Sequence, residues 1–303
     1  MSVGPLAEAF RQLQPEDFRI LLAIELGMAR HEFVPRDFVA SYATVDRGLI
    51  EKHLPKLAQA RLIRHHPPGP LPYDGFDLTY AGYDCLALNA LVKRDTVSAI
   101  GKPLGLGKES DVYDALSARK RRLALKFQRL GRISFRQTKR VRGFVAQRSH
   151  ISWLYQSRLA AEREFEALRR LWQAGVAVPK PLAHNRHVIA MGYFNGLELS
   201  KFPKLSRPRR VFRDLLKNVK AAHQKAGIVH GDLSEYNVLV NLSERILLID
   251  WPQFVYKNHP TAKRLLTRDI KNIEFTFRTR FGQQSDPDAM IEYVTGARAS
   301  LAL

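Results

Sequence analysis

Asp232 and Asn237 lie five residues apart in His230-Gly231-Asp232-Leu233-Ser234-Glu235-Tyr236-Asn237-Val238-Leu239-Val240, and a further carboxylate, Asp250, ends the apolar run Ile246-Leu247-Leu248-Ile249. These residue types at this spacing fit phosphoryl transfer from ATP. That chemistry needs one carboxylate beside the acceptor, and an amide oxygen plus a second carboxylate to hold Mg²⁺ against the phosphates. In a purely structural reading, His230 and Asp232 do no more than cap a turn. Loops with an Asp and an Asn are common, but an H-G-D-x-x-x-x-N-V-L run leading to an I-L-L-I-D strand favours the phosphate chemistry.

Phosphates also need a cradle and a cation. The stretch Ile100 to Tyr113 is glycine-rich and then apolar, and Gly105 and Gly107 let the backbone approach a phosphate closely. Leu123-Ala124-Leu125-Lys126-Phe127 follows as a short strand carrying one lysine, the place where a kinase sets its phosphate-binding lysine. An acidic partner for Lys126 is expected on the helix over Ser152 to Ala174, where Glu162, Glu164 and Glu166 compete. Leu159, Phe165, Leu168 and Leu171 mark the apolar face of that helix. Glu164 falls at its edge, whereas Glu162 and Glu166 can pair with Arg158 or Arg170 on the surface.

Val188-Ile189-Ala190-Met191 reads as a strand entering a hinge, with backbone groups of Gly192 and Tyr193 bonding adenine and Asn195-Gly196 forming a turn. A helix over Pro208 to Lys225 leads into the Asp232 loop. After Asp250 the spacing predicts one long helix, about Thr261 to Phe281, and one short helix, which leaves no room for the helical platform that holds peptide substrates.

The first hundred residues have a different pattern. Pro15 to Ala29 has helical spacing through Phe18, Leu21, Leu22, Ile24 and Leu26, with Pro15, Glu16 and Asp17 suited to a first turn. A shorter helix is expected over Pro35 to Ala43, and a third after Thr44-Val45-Asp46 with Ile50, Leu54, Leu57 and Ala58 on one face. Strands around Leu62-Ile63-Arg64 and Phe76 to Thr79 flank a Pro/Gly-rich loop, and a helix over Tyr80 to Lys93 closes the unit. Three helices and a hairpin in this order make a winged helix. Its third helix and wing carry Arg47, Lys52, His53, Lys56, Arg61, Arg64, His65 and His66, side chains suited to nucleic-acid phosphates, although the same unit would serve equally as a docking or structural module.

The net charge of +20 favours a polyanionic partner, and nucleic acid is the usual one inside cells. The segment from Arg129 to His150 concentrates that charge in Arg129, Arg132, Arg136, Lys139, Arg140, Arg142 and Arg148 with no acidic residue, and is read as a basic flap that orders on nucleotide or RNA. Cys85 is the one cysteine, which fits a reducing intracellular compartment and a cytoplasmic location, and no signal peptide or apolar run of membrane-spanning length is expected.

Taken together, Gly105-Leu106-Gly107-Lys108-Glu109-Ser110-Asp111-Val112-Tyr113, Leu125-Lys126, Arg129 to Arg136, Ser152-Trp153-Leu154-Tyr155, His230 to Asn237 and Ile249-Asp250-Trp251-Pro252-Gln253 resemble the RIO atypical kinases. The G-K-E-S-D-V-Y form and the leading winged helix resemble the second subfamily in an archaeal-type version. The resemblance implies an α+β chain with a winged helix at 1–93 and a compact bilobal kinase-like domain at 94–303, its N-lobe at about 94–190 and its C-lobe at about 191–303. It implies use of ATP and Mg²⁺ bound between the lobes, and a role in maturing the small ribosomal subunit, with precursor rRNA contacted through the winged helix and residues 129–150.

Carried over residue by residue, Lys126 and Glu164 position phosphates, and Gly105, Gly107, Lys108, Glu109 and Ser110 form the phosphate turn. Met191 and Tyr193 meet adenine, Asp232 is the catalytic acid/base, and Asn237 and Asp250 hold the metal. Asp250 is also the candidate aspartyl-phosphate, which makes autophosphorylation and ATPase activity expectations. One departure is Gly192, where relatives often carry Glu; recognition of adenine through backbone groups survives it. The alternatives are a small-molecule phosphotransferase of the aminoglycoside or choline kinase kind, and a non-catalytic RNA-binding assembly factor. The first normally has a larger acceptor-binding lobe, and the second would have no need of the intact set Lys126, Asp232, Asn237 and Asp250.

Overall fold

The computed structural model describes residues 3–69, 72–131 and 153–300. Arg132, Arg136, Lys139, Arg140, Arg142, Arg148 and Ser152 therefore lie outside the described residues. The chain divides into two compact units, one built on residues up to Ala161 with Ala183–Ala190, the other on Glu162–Leu182 and Met191 onward.

The first unit opens with α1 (Val3–Arg11), α2 (Pro15–Gly27), β1 (Val34–Pro35), α3 (Arg36–Ala43), α4 (Arg47–Gln59), β2 (Ile63–His66), β3 (Gly75–Leu78) and α5 (Tyr80–Lys93). The strands pair in the order β1-β3-β2. This is the winged-helix order, with α1 and β1 added to what the spacing predicted. β1 exists only through its two-residue pairing with β3, which no local pattern encodes. Helix starts follow local chemistry: Asp46 caps α4 by accepting from Gly48 N at 2.8 Å, and Thr79 caps α5 by accepting from Gly82 N at 3.2 Å.

The buried stripe of α2 is Asp17, Ile20, Leu21, Ile24 and Gly27, whereas Leu22 and Leu26, expected on it, are 42% and 51% exposed. A carboxylate heads this stripe. Asp17 is fully buried and accepts from Gln14 N at 2.8 Å, His53 Nδ1 at 2.6 Å and Lys56 Nζ at 2.7 Å. Burial alone would raise its carboxyl; these donors outweigh that and hold it below the usual carboxylate range. Two residues expected to face phosphates are thus committed elsewhere, because a buried carboxylate is tolerable only when paired. In the wing, Arg64 and His66 bind Asp77, and His65 binds Asp74. Arg47, Lys52 and Arg61 remain exposed.

The unit continues into β4 (Ala99–Leu106), β5 (Ser110–Leu116) and β6 (Arg122–Gln128), then α6 (Trp153–Gln173), β7 (Pro181–Asn185) and β8 (Val188–Gly192), with a sheet order β4-β5-β6-β8-β7. One apolar core runs from Ile20 and Ile24 of α2 through Leu88 and Leu91 of α5 to Tyr113, Leu125 and Phe127 of the sheet. Val97, between α5 and β4, is buried in this core, while Arg94, Asp95 and Ser98 around it are exposed.

The second unit holds the C-terminal part of α6, then β9 (Leu197–Glu198), α7 (Pro208–Ala221), β10 (Ile228–Val229), β11 (Val238–Val240), β12 (Ile246–Leu248), β13 (Val255–Tyr256), α8 (Ala262–Phe281) and α9 (Pro287–Thr295). A π-helical turn, Ala222–Ala226, ends α7. β10 pairs with β13, and a second small sheet runs β12-β11-β9. Phe212 of α7 stacks on Phe277 of α8 at 4.4 Å, which packs these helices core to core. Asn195-Gly196 is irregular rather than a turn. Among the described residues no helix is long and apolar enough to cross a membrane.

Asp17→Ala strips the buried His53 and the half-buried Lys56 of their shared partner, and is expected to cost about 3 kcal/mol in urea denaturation. Because the Asp17 pKa is lowered on folding, this contribution is present above the unfolded carboxyl value and fades as pH falls through the folded one. The gap between variant and parent should therefore narrow in acid.

Candidate active site

Loop 230–237 joins β10 to β11, and α8 holds it in place. Asp269, 1% exposed, accepts from Gly231 N at 2.8 Å and Leu233 N at 3.0 Å, one donor on each side of Asp232. Asn272, three residues on, donates Nδ2 to Leu233 O at 3.2 Å, and Thr276 donates Oγ1 to Glu235 Oε2 at 3.0 Å. Arg268 donates to Gly231 O and stands 3.7 Å from Asp232 Oδ1. One helix face thus fixes the backbone around Asp232 while its own side chain stays 65% exposed. Gly231 has φ +78°, and a Cβ there would meet Gln253 O at 2.8 Å, so only glycine fits.

The loop is also tied to the segment carrying Asp250. Asn237 donates Nδ2 to Asp232 O at 2.9 Å, and its own carbonyl accepts from Ile249 N at 3.0 Å. His230, stacked on Trp251 at 4.3 Å, donates Nε2 to Ile249 O at 3.0 Å. Asn237 is thus bonded to Asp232 O through its side chain and to Ile249, the residue before Asp250, through its backbone. Asp250 sits at φ +66°, a left-handed conformation that Asp tolerates better than most residues and that clusters at functional sites. With Nδ2 engaged, Asn237 has Oδ1 as its ligating atom, and an amide oxygen with a carboxylate is a donor set that suits Mg²⁺ completed by phosphate oxygens and water. Among the described residues there is no cluster of three or more His, Cys, Asp or Glu that could hold a metal.

Along α6 the buried positions Leu154, Ser157, Ala161, Glu164, Leu168 and Leu171 repeat at three and four residues. Glu164, 2% exposed, occupies the stripe itself rather than its edge. Glu166 is exposed and bound to Arg170 at 3.1 Å and Tyr256 Oη at 2.8 Å, which takes it out of the competition. Within the second unit, Arg163 donates to Phe254 O and stacks over its ring at 4.6 Å, so the turn carrying Glu164 is stitched to the chain that follows Asp250.

The first unit carries the other predicted residues. Lys126 is 5% exposed on β6. Gly105 lies near the end of β4, and Gly107, Lys108 and Glu109 make the turn into Ser110 at the start of β5, closed by Gly107 N donating to Ser110 O at 2.8 Å. Met191 is buried and Tyr193 half-buried in the second unit. Gly192 N donates to Lys180 O at 2.9 Å, which leaves its carbonyl and the Tyr193 backbone as the groups to offer adenine. Arg129, read as the first charge of the basic flap, is 5% exposed and paired with Asp84 and Asp111. Asp269 is not among the residues expected at the site; its local signal is weak, an acid buried in a mostly basic helix that also buries Glu274.

Comparison with known proteins gives the family. The RIO domain family matches residues 111–290 and the family "Rio2, N-terminal" matches residues 10–94. The chain belongs to the RIO kinase family, in its Rio2 branch. RIO-type serine/threonine-protein kinase Rio2 of Methanocaldococcus jannaschii is 39% identical over 277 residues, covering 88% of this chain and 100% of that one. Serine/threonine-protein kinase rio2 of Dictyostelium discoideum is 40% identical over 274 residues, and the chain spans only 52% of that relative's length. The Rio2 kinase–ADP/Mg²⁺–phosphoaspartate complex from Chaetomium thermophilum superimposes with a TM-score of 0.79 at 32% identity, covering 96% of this chain and 93% of that one. The Rio2 fold, an N-terminal winged helix followed by a RIO kinase domain, is thus the fold of this chain.

Burial pushes the Asp269 carboxyl up to about 6; the Gly231 and Leu233 amides and Arg268 pull against this, and Asp232 adds to it. A carboxyl raised on folding weakens the folded state while it is ionised, and that cost is relieved as pH falls from about 6 toward the unfolded value. Parent protein should therefore gain about 1 kcal/mol relative to Asp269→Asn between pH 7 and pH 5. Urea denaturation of both proteins at the two pH values measures it.

Proposed function

We propose that this chain is an ATP-dependent serine/threonine kinase or ATPase that acts in maturation of the small ribosomal subunit. The observation that carries the reading is the bonded set Asp232–Asn237–Ile249, with Asp250 next in sequence, anchored on Asp269. Asn237 and Asp250 would hold Mg²⁺, which supplies charge neutralisation on the phosphates. Asp232, exposed and held at its backbone, serves as acid/base toward the acceptor. Lys126 and Glu164, each too deeply buried to remain unpaired, are read as the phosphate-positioning lysine and its acidic partner. The turn Gly105, Gly107, Lys108, Glu109, Ser110 covers phosphates, and Met191 and Tyr193 offer backbone groups to adenine.

Asp250 is the candidate phosphate acceptor. Its carboxylate oxygen attacks the γ-phosphorus, the bond to the β,γ-bridging oxygen breaks, ADP leaves, and water later cleaves the acyl phosphate to restore the carboxylate and release phosphate. The Chaetomium thermophilum Rio2 kinase, caught with ADP, Mg²⁺ and a phosphoaspartate, supports this route by likeness. A reducing cytoplasmic setting fits the single, buried Cys85. The net charge of +20 and the exposed Arg47, Lys52 and Arg61 support precursor rRNA as the polyanion, met by the winged helix and by the basic segment 129–150 without the buried Arg129.

Asp250→Ala is expected to abolish both Mg·ATP hydrolysis and the hydroxylamine-labile label left on the protein by γ-³²P-ATP; turnover equal to the parent's would sink the assignment. Neutralising Arg136, Lys139, Arg140 and Arg142 should weaken RNA binding and flatten the slope of log K against log salt by about 0.7 to 0.9 per lost phosphate contact. A salt titration with single- and double-stranded RNA reads that slope.

A further inference from the structure

Four ionisable side chains are buried together in the first unit, at a place the reaction does not use directly. Asp84 of α5 is 5% exposed, Arg129 after β6 5%, Asp111 of β5 1% and His187 before β8 0%. Arg129 forks onto Asp84, Nη1 to Oδ1 at 2.6 Å and Nη2 to Oδ2 at 2.9 Å, and reaches Asp111 Oδ2 through Nε at 3.1 Å. His187 donates Nε2 to Asp84 Oδ1 at 2.7 Å, and its carbonyl accepts from Gln128 N at 2.9 Å. The planar guanidinium is the one side chain that can bridge two carboxylates in this way.

The cluster ends on the phosphate turn. Arg129 N donates to Glu109 O at 2.6 Å, and Asp111 directly follows Ser110. Asp111 also sits opposite Leu106 in the β4–β5 hairpin and Phe127 in β6, at the root of the turn Gly107–Glu109. A second hold comes from the same helix. Tyr80 of α5 donates its hydroxyl to Leu130 O at 2.5 Å and lies 2.8 Å from Ser157 Oγ, which accepts from Leu130 N at 3.0 Å. The winged helix thus grips the backbone at Arg129–Leu130, and Arg129 in turn grips Glu109. A packing staple alone would need only the Tyr80 contacts and the shared apolar core. It would not bury three full charges in a line from α5 to the residue beside Ser110.

We propose that Asp84 is a positioning residue for the phosphate turn, acting through Arg129 on Glu109–Asp111, so that the state of the winged helix sets nucleotide affinity. This rests on the ATP reading above. By reciprocity, a polyanion that shifts α5 changes nucleotide binding, and bound nucleotide changes affinity for the polyanion by the same factor.

The test compares Asp84→Asn with Asp17→Ala, which removes an equally buried carboxylate of the winged helix that has no bond to Arg129. Mg·ADP titration calorimetry and Mg·ATP turnover on the full chain give Kd, KM and kcat for each, beside thermal stability. Asp84→Asn should raise Kd and KM about tenfold with kcat within about twofold, whereas Asp17→Ala should lose stability and keep the parent's KM. Should Asp84→Asn fail to fold, Arg129→Lys replaces it: it keeps the charge and the backbone bond but cannot span both carboxylates, and the same rise in KM is expected. Parent-like Kd and KM in the folded variant, or equal KM shifts in Asp84→Asn and Asp17→Ala, overturn the proposal. A parent protein that neither binds Mg·ADP nor turns over Mg·ATP overturns the ATP reading itself, a result distinct from either.

Discussion

Asp269 holds the loop that carries Asp232, and the candidate site of the second unit is built on it. A loop that presents an exposed carboxylate, as at Asp232, cannot rely on apolar packing at that point, since packing would bury the side chain. The backbone on either side must be held instead, and two amide donors converging on one buried carboxylate do so without touching the Asp232 side chain. Burial makes that carboxylate costly, as its raised pKa records, and the cost is tolerated because the ionised form accepts at both oxygens. The requirement spreads outward. Gly231 must take φ +78° for its N–H to face Asp269, and it must lack a Cβ because Gln253 O stands in the way.

The same device recurs in the first unit with the opposite division of labour. There the candidate phosphate turn, Gly107–Glu109, is held at its backbone. Arg129, carrying the buried charge, reaches the turn through its main-chain N–H to Glu109, while its guanidinium is fixed by Asp84 and Asp111. In both units a helix or strand distant in sequence presents a buried ionic group, and the functional segment hangs from it by backbone bonds. Such groups contribute little net stability compared with apolar packing, and their value is that they fix one geometry.

Legibility in the sequence followed the range of the interaction. Helices with a cap and a regular stripe were readable almost to the residue, as at α5 and α8, because cap, period and stop are all local. Asp232, Asn237 and Asp250 stood out as candidates because phosphoryl transfer would demand a fixed spacing on one loop and the next strand. Asp269, β1 and the burial of His53 and Arg129 were not, since each depends on a partner tens of residues away: Gly231 for Asp269, Phe76 for Val34, Asp17 for His53, Asp84 for Arg129. Charge counting misread these last two for a simple reason: composition records a cation but not the carboxylate the fold sets against it.

Glu164 marks the boundary between these cases. Its candidacy was visible, but three glutamates alternate along that turn and local spacing cannot rank them. The phase of the whole helix can: extended back to Leu154 and forward to Leu171, the three-and-four repeat passes through 164 and through neither 162 nor 166. A charged residue in phase with an apolar stripe is either an error in the phase or a group whose counter-charge lies inside the protein. At 2% exposure the first option is closed. The same reasoning applies to Asp17 at the head of the α2 stripe, where the partners are the buried His53 and the half-buried Lys56. A carboxylate in register with leucines is therefore a sequence signal for a buried ionic contact, and it distinguishes Glu164 and Asp17 from the surface acids beside them.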